Sequence, residues 1–153
     1  MTWKPNVTVA CVAEREGRFL LVEEREAGRA VLNQPAGHLE EGESLLEAAV
    51  RETREETGHD FRPTALVGLY RWVHPASGLT FLRAAFTGEL GEPVPGATLD
   101  PDIVATHWLD RESLLGSALG LRSPLVLRCI DDYLAGRRYP LELLTDLDHR
   151  ESA

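Results

Sequence analysis

The segment GHLEEGESLLEAAVRETREETGH, residues 37–59, joins a helix signal to a local concentration of acid. Ser44 is followed three residues later by Glu47, the capping-box pattern of a helix start, and Gly58 is suited to end the helix. Residues 40–56 hold seven glutamates and two arginines, so this window carries −5 of the chain's net charge of −9. The sequence therefore predicts an acidic helix over residues 44–57.

A helical projection of residues 44–57 separates three stripes of side chains. We expect the first stripe to pack inward, the second to be purely acidic and the third to carry mixed charge. In the third stripe Glu47 and Arg51, four residues apart, are placed to pair. The stripes are, in that order, Leu46, Ala49, Val50 and Thr53; Glu52, Glu55 and Glu56; and Glu47, Arg51 and Arg54.

The acidic stripe has two interpretations. Like charges four residues apart cost a helix about 0.2–0.5 kcal/mol per pair, a cost that a solvated surface tolerates. The alternative is a divalent cation, because Mg²⁺ prefers oxygen ligands and commonly shares substrate phosphates with a protein. Three carboxylates on one rigid helix match that second interpretation.

The whole segment resembles the Nudix box, G-x5-E-x7-R-E-U-x-E-E-x-G-U, in which U is aliphatic. The matching positions are Gly37, Glu43, Arg51, Glu52, Glu55, Glu56 and Gly58. Thr53 and His59 occupy the two U positions, a departure that concerns packing more than chemistry. The resemblance implies the Nudix fold, an α/β (α+β) structure in which an α/β/α sandwich with a mixed β-sheet carries the box as a loop–helix–loop.

The resemblance also implies a chemistry and a set of roles. Nudix hydrolases cleave a nucleoside diphosphate linked to another moiety, using Mg²⁺ or Mn²⁺, by attack of water on phosphorus. Arg51 and Glu43 would be structural, with Arg51 supporting the glutamates by ion pairing, and Glu52 or Glu55 could instead serve as the general base. The implied catalytic residues are Glu52, Glu55 and Arg51, and the implied metal ligands are Glu52, Glu55, Glu56 and the carbonyl of Gly37.

Polar residues near the box extend the candidate site. Asp100 and Asp102 occupy the region where some Nudix enzymes place an additional acid, although Asp-Pro-Asp is also typical of a turn. Gln34, just before the box, is a candidate contact for metal-bound water or phosphate. His38 lies beside the metal loop, where a lone histidine is more simply explained by structure.

Aromatic and basic residues follow the box on two strand candidates. Arg71, Trp72, Phe81 and Arg83 are candidate substrate contacts, because aromatic faces stack on a base and arginine binds phosphate bidentately. His74 lies among them. Tryptophan and phenylalanine on strands are also typical of a hydrophobic core, and Trp72 is the best single candidate for the substrate.

The rest of the chain predicts one domain over residues 1–153, with the box at 37–59 and a C-terminal tail from about residue 140 to 153. Hydrophobic alternation indicates a hairpin of residues 6–13 and 18–24, then strands at 65–73, 79–86 and 103–109, with a loop over 91–101. A short helix is expected near Asp110. A longer one starts at Ser123-Pro124, a serine N-cap with proline at the first helical position, and ends near Gly136.

Composition excludes several classes of function. A net charge of −9 argues against general nucleic-acid binding, and no apolar stretch is long enough to span a membrane. Cys11 and Cys129 lack metal-ligand spacing and are expected to be reduced and buried, which suits the cytoplasm. The expected partner is a small nucleotide or pyrophosphate, with no nucleic acid and no membrane, and the chain is expected to be a monomer or a homodimer.

Three functions remain open. Outside the box, the runs NQPAGHLE, RSPL and RRYPLEL resemble a group of small bacterial phosphatases within the family, which favours a Mg²⁺-dependent phosphatase of broad specificity for nucleoside di- and triphosphates. A pyrimidine pyrophosphate of thiamine metabolism is then also in range. The alternatives are a pyrophosphohydrolase for ADP-ribose or a dinucleoside polyphosphate, and a catalytically silent domain that senses a nucleotide.

Overall fold

A computed structural model describes residues 1–148 of the chain. Within those residues the chain forms nine strands, three α-helices and a short 3₁₀ helix at Leu141–Leu143. The strands are β1 (Asn6–Cys11), β2 (Glu14–Arg15), β3 (Arg18–Glu26), β4 (Arg29–Asn33), β5 (Ala36–His38), β6 (His59–Val73), β7 (Thr80–Pro93), β8 (Ile103–Leu109) and β9 (Gly120–Leu121). The helices are α1 (Leu45–Thr57), α2 (Arg111–Leu115) and α3 (Pro124–Leu134).

The strands form two mixed sheets. The first has the order β5-β1-β7-β6, and the second has the order β2-β3-β4-β9 with β8 paired to β3. In the described part of the chain β1 runs parallel to β7 and β4 runs parallel to β9, whereas the other pairings are antiparallel. The predicted α/β class with a mixed sheet is confirmed.

Strand β1 lies inside the first sheet, and its side chains alternate between two hydrophobic clusters. Val9 and Cys11 pack in the cluster that contains α1, whereas Ala10 packs in the cluster that contains α3. Successive side chains of a strand point to opposite faces, so this alternation places one helix on each side of the sheet. The arrangement is the predicted α/β/α sandwich.

The predicted hairpin of residues 6–13 with 18–24 is wrong in its pairing. β1 pairs with β5 and β7, and the hairpin is limited to β2 and the start of β3, with one further bond from the Leu20 N–H to the Ala13 carbonyl at 2.9 Å. Residues 8–13 are buried without interruption, because β1 is an internal strand rather than one arm of a surface hairpin. The strands predicted at 65–73 and 79–86 are parts of the longer β6 and β7, which pair from His59 to Pro93. Because β7 continues to Pro93, the loop predicted over residues 91–101 is shorter in the structure.

Helix α1 begins and ends as its sequence predicts. The backbone N–H of Glu47 donates to Ser44 Oγ at 3.1 Å, and the N–H of Ser44 donates to Glu47 Oε1 at 3.1 Å. Gly58 has a φ of +75° and its N–H donates to the Arg54 carbonyl at 2.9 Å. The two reciprocal bonds of the capping box satisfy helix donors that would otherwise have no partner.

The buried face of α1 is rotated from the predicted one. Leu46 and Val50 are only partly buried, and the buried residues are Ala48, Ala49, Thr53, Glu56 and Thr57. Small side chains on this face let the helix lie close to the sheet. The same rotation takes Glu56 out of solvent, although the projection had placed it on an exposed acidic stripe.

The two polar residues at aliphatic positions of the box are accommodated by local hydrogen bonds. The Thr53 hydroxyl donates to the Ala49 carbonyl at 2.7 Å. His59 Nδ1 lies 2.8 Å from the Gly91 carbonyl, and its ring meets Trp108 edge to face. Both side chains are buried with a hydrogen-bonding partner, so the departure from the pattern leaves the packing intact.

Helix α3 and the segment that follows it pack against the hydrophobic core. Ser123 Oγ accepts from the Leu125 N–H at 3.2 Å with Pro124 following, as predicted. The backbone of Tyr139 pairs with Leu66, and Leu141 packs against the α1 cluster, so the predicted tail begins with a docked segment. Its last part, residues 149–153, lies outside the described residues.

Two further expectations concern the cysteines and the membrane. Cys11 and Cys129 are both free and buried, as predicted. Burial raises the pKa of the Cys11 thiol to about 12. Among residues 1–148 the helices are too short and too polar to cross a membrane.

Candidate active site

A cleft of about 330 Å³ lies where the two sheets, α1 and the start of α3 meet. Two arginines, Arg83 and Arg122, and the aromatic pair Trp72 and Phe81 contribute to its lining. The acids that line it are Glu24, Glu26, Glu40, Glu52, Glu56 and Asp100. Acid outnumbers base in the lining, so an anionic substrate is repelled unless a cation neutralises part of this surface.

Arg51 organises the outer side of α1. Its Nε and Nη2 donate to the two carboxylate oxygens of Glu43 at 2.9 and 2.7 Å, and Nη1 donates to Glu52 at 2.8 Å and to Glu55 at 3.2 Å. Nη2 also donates to the His38 carbonyl at 3.0 Å. These bonds lower the pKa of Glu43 and raise the pKa of Arg51. The arginine thus supports the glutamates, as the resemblance implies.

The predicted ion pair of Glu47 with Arg51 is not formed. The Glu47 carboxylate is held by the N–H of Ser44 in the capping box, which turns it toward the start of the helix. Arg51 instead takes Glu43 from the preceding loop and Glu52 and Glu55 from α1. The bidentate contact with Glu43 is stronger than a single surface pair, which explains the choice of partner.

Glu56 has no arginine paired with it in the described chain, in contrast to the glutamates that pair with Arg51. Its carboxylate is buried and accepts the N–H of Ala36 at 2.8 Å, but no arginine or lysine pairs with it among residues 1–148. Burial raises its pKa to about 9, and the nearby carboxylates of Glu24, Glu52 and Asp100 add to the rise. Burial also raises the pKa of Glu52, against the opposing effect of Arg51. A buried carboxylate without a cation is costly in the charged form.

The implied metal ligands suit a divalent cation in donor chemistry. Within the part of the chain that the structure describes, no three His, Cys, Asp or Glu side chains converge tightly enough to hold a metal. Glu52 and Glu56 face the cleft with oxygen donors, whereas Glu55 points to Arg51 and is nearly half exposed. At Gly37 a Cβ atom would overlap the Glu52 carboxylate, so glycine leaves room for an oxygen donor beside the backbone. Carboxylate and carbonyl oxygens are the ligand type that hard divalent cations such as Mg²⁺ prefer.

The side of the cleft formed by the sheets has its own network. Glu24 accepts from Asn33 Nδ2 at 3.1 Å and from Arg122 Nη1 at 2.7 Å. Arg83 donates to the amide oxygens of Gln34 at 2.9 Å and Asn33 at 3.1 Å. Arg83 is 5% exposed, so this is a buried polar assembly at the floor of the cleft.

Aromatic rings stand at the mouth of the cleft. Trp72 and Phe81 are directly opposite each other on β6 and β7, with ring centroids 5.8 Å apart. His74 lies 5.2 Å from Trp72, and His38 lies 6.4 Å from Phe81. Both aromatic residues are half-buried beside the cleft rather than enclosed in the core.

Three predicted site residues lie elsewhere. Arg71 is exposed and alternates with Trp72 along β6, so its side chain leaves the face that lines the cleft. Asp102 is exposed and its N–H donates to Asp100 Oδ1 at 2.9 Å, so this pair does form a turn while Asp100 alone lines the cleft. Gln34 is buried beneath the floor, where it binds Arg83 and the Val126 carbonyl.

Comparison with known proteins identifies the family to which the chain belongs. A model of the NUDIX domain matches residues 3–127. The chain belongs to the NUDIX family. Phosphatase NudJ of Escherichia coli strain K12 is 47% identical to it over 146 residues, which cover 95% of this chain and 94% of that protein.

Solved structures agree with this assignment. A NUDIX hydrolase from Nitrosomonas europaea superposes with a TM-score of 0.92 at 46% identity, covering 95% of this chain and 99% of that one. The NUDIX domain of Shewanella oneidensis NrtR, complexed with ADP ribose, shares the fold alone, with a TM-score of 0.66 at 14% identity over 87% of this chain and 90% of that one.

Membership in the NUDIX family confirms the resemblance seen in residues 37–59 and the predicted class of enzyme, a hydrolase of phosphoric anhydride bonds. The likeness of the flanking runs to a phosphatase group is also confirmed by the identity to NudJ. NUDIX hydrolases generally use a divalent metal, which agrees with the oxygen donors found in the cleft.

Sequence reasoning missed several residues of this NUDIX cleft. Glu24, Asn33 and Arg122 come from β3, β4 and the loop before α3, and no short motif joins them. Asn33 and Arg122 do lie in the runs NQPAGHLE and RSPL, but the resemblance of those runs assigns them no role in a site. Glu24 lies in the charged end of β3, after the apolar run of residues 19–22, so no separate signal in the sequence marks it.

Proposed function

We propose that this chain is a Mg²⁺-dependent phosphatase of broad specificity that hydrolyses nucleoside di- and triphosphates, with Mn²⁺ able to substitute. The observation that carries the proposal is the pairing, in one cleft, of a buried carboxylate that has no cation with an aromatic pair at the mouth. The relative named Phosphatase NudJ supports the choice of phosphatase among the activities open to the family.

The glutamates of α1 would hold the cation. Glu52, Glu56 and the Gly37 carbonyl would contribute donors directly, and Glu55 would join after leaving Arg51. The cation, when bound, supplies positive charge to the phosphoryl group and makes a water molecule more acidic. Glu56 would have to give up its proton first, because its pKa of about 9 keeps it protonated at neutral pH in the absence of a cation.

The remaining residues would position the reactants. Glu52 or Glu55 would accept the proton of the attacking water as general base, and Arg51 would hold Glu52 in place through the contact at 2.8 Å. Asp100 would add a further carboxylate at the edge of the cleft. Arg51 would then act as a positioning residue, since its guanidinium points to the glutamates rather than to the cleft.

Stacking on the aromatic pair would make the choice of base permissive. Trp72 and Phe81 accept any aromatic ring, because every base presents a π-face to them. We expect several nucleoside di- or triphosphates to be hydrolysed within about tenfold of one another, a spread of ~1.4 kcal/mol. A pyrimidine pyrophosphate of thiamine metabolism would fit the same description.

Product analysis tests the proposal. GDP and GTP are incubated with the protein and Mg²⁺, and orthophosphate, pyrophosphate and nucleotides are separately quantified. We expect orthophosphate from GDP without any added phosphatase. Release of pyrophosphate alone, or cleavage of ADP-ribose alone, would contradict the phosphatase assignment while leaving the family chemistry in place.

A matched pair of variants tests the site. Glu56→Gln keeps an acceptor for the Ala36 N–H but cannot become a carboxylate when a cation binds, and we expect turnover to fall by at least about tenfold, equal to ~1.4 kcal/mol of transition-state stabilisation. Glu41→Gln, at an exposed position of the same segment, should keep the parent's turnover. Equal turnover of Glu56→Gln and the parent under subsaturating Mg²⁺ would contradict the assignment of Glu56.

A further inference from the structure

We infer that Arg83 is an anion anchor at the floor of the cleft, which binds the phosphate that stays on the nucleoside after hydrolysis. This inference rests on the proposed function for the identity of the ligand as a nucleotide. It concerns a contact separate from the α1 carboxylates and assigns to the floor the recognition of the nucleoside monophosphate part of the substrate.

The first argument is the state of the Arg83 charge. The residue as a whole is 5% exposed, and among residues 1–148 its guanidinium forms no ion pair with a carboxylate. Its Nη1 and Nη2 donate to neutral amide oxygens, its buried Nε has no hydrogen-bonding partner in the described chain, and the Cys129 thiol that interacts with this side chain is uncharged because burial raises its pKa. A buried arginine is costly unless an anion pairs with it, and this one lines an open cleft.

The second argument is that both amide partners are held in a fixed orientation. Asn33 donates its Nδ2 to Glu24 at 3.1 Å, and Gln34 donates its Nε2 to the Val126 carbonyl at 2.8 Å. Each amide therefore presents its oxygen to Arg83 and cannot turn without losing a bond. The guanidinium is held in place before any ligand arrives, which reduces the entropy lost on binding.

The third argument is the position of Arg83 in the sheet. Across the order β5-β1-β7-β6, Gly37 lies on β5, Arg83 on β7 and Trp72 on β6. Neighbouring strands are about 4.8 Å apart, so Arg83 lies roughly 10 Å from the strand of Gly37 and one strand from Trp72. A nucleotide that stacks on Trp72 and reaches the α1 carboxylates therefore passes over Arg83 with its middle part.

The charge of Arg83 indicates which part of the nucleotide it contacts. The floor position offers a cation in a cleft that is otherwise mostly acidic, and guanidinium binds phosphate oxygens in a planar, bidentate geometry. The terminal phosphate belongs with the α1 carboxylates and their cation. The phosphate next to the nucleoside is the anionic group left for Arg83.

The test is calorimetric titration of GMP and of guanosine into the parent, Arg83→Gln and Arg83→Lys, each with saturating Mg²⁺ and again in EDTA. Arg71→Gln is the matched control, since Arg71 is exposed on the opposite face of β6. We expect Arg83→Gln to weaken GMP binding by at least about tenfold and to leave guanosine within about twofold, whereas Arg71→Gln changes neither. Unchanged GMP binding, or an equal loss for guanosine, would overturn the inference.

Two features keep the result interpretable. If Arg83→Gln fails to fold, Arg83→Lys retains the charge without the planar fork, and GMP binding weakened severalfold supports the inference while unchanged binding overturns it. Because GMP binding requires no turnover, a chain that fails to hydrolyse GDP but still binds GMP through Arg83 would contradict the proposed function alone.

Discussion

Glu43 and Glu56 belong to the same motif, residues 37–59, and their carboxylates have opposite environments. Both carboxylate oxygens of Glu43 accept hydrogen bonds from Arg51, which lowers the pKa of Glu43. Glu56 is buried against Ala36 beside other carboxylates, which raises its pKa to about 9. The difference shows that one acid is balanced by the protein itself, whereas the other is left to be balanced by something the protein binds.

The largest expected effect comes from removing the cation that balances the first acid. Arg51→Gln leaves Glu43 and Glu52, both mostly buried, without their partner. We expect the free energy of unfolding in EDTA to fall by roughly 2–3 kcal/mol, less than for a fully buried pair because water reaches the site. Urea denaturation near neutral pH measures it. Arg54→Gln, whose pair with Asp60 is well exposed, should lose less than about 0.5 kcal/mol. Similar losses for the two variants would contradict the special role of Arg51.

The second prediction uses the pH dependence of Glu56. Its pKa is about 9 in the folded chain against an ordinary 4.5, so the protonated form is favoured by folding. That contribution is fully present below about pH 4.5 and is lost as the pH rises toward 9. In EDTA near pH 8, Glu56→Gln should therefore be more stable than the parent by roughly 1–2 kcal/mol. A stability difference that does not change with pH would contradict this origin.

The third prediction concerns Glu43, where the same substitution should lower the stability near neutral pH instead of raising it. The lowered pKa of Glu43 adds stability above its ordinary value of 4.5, and this stability is lost as the pH falls through the lower folded pKa. Near neutral pH, Glu43→Gln should be less stable than the parent by about 1 kcal/mol, because a charge-assisted bond to Arg51 becomes a neutral one. The deficit should shrink in acid. Thermal unfolding of Glu43→Gln and Glu56→Gln in one buffer series compares the two directly, and equal signs would contradict the contrast.

The same contrast explains what the sequence could predict. The caps of α1, the cleft-facing Glu52 and Glu56, and the support from Arg51 depend on residues a few positions apart, whose geometry a helix fixes. The burial of Glu56 depends on how α1 rotates against the sheet, which spacing within the helix does not determine. The projection therefore placed its carboxylate on the helix but not in the protein interior.

The floor of the cleft lay beyond sequence reasoning for a different reason. Arg83 meets Gln34 and Asn33 across 49 and 50 residues of chain, and Glu24 meets Arg122 across 98. Those contacts depend on which strands become neighbours, and the predicted hairpin of residues 6–13 with 18–24 had that pairing wrong. Arg71 and Arg83 looked equivalent in the sequence, and only strand register separates them.

Metal-dependent stabilisation tests most directly the claim that Glu56 is left for a cation to balance. The melting temperature is measured in EDTA and in millimolar Mg²⁺ or Mn²⁺ for the parent, Glu41→Gln and the double variant Glu52→Gln/Glu56→Gln. An ion at about 100 times its Kd adds ~2.7 kcal/mol to stability, which raises the melting temperature of a chain of this size by several degrees. We expect that rise in the parent and in Glu41→Gln and little of it in the double variant. A rise of the same size in the double variant would show that the cation binds elsewhere and would contradict the account.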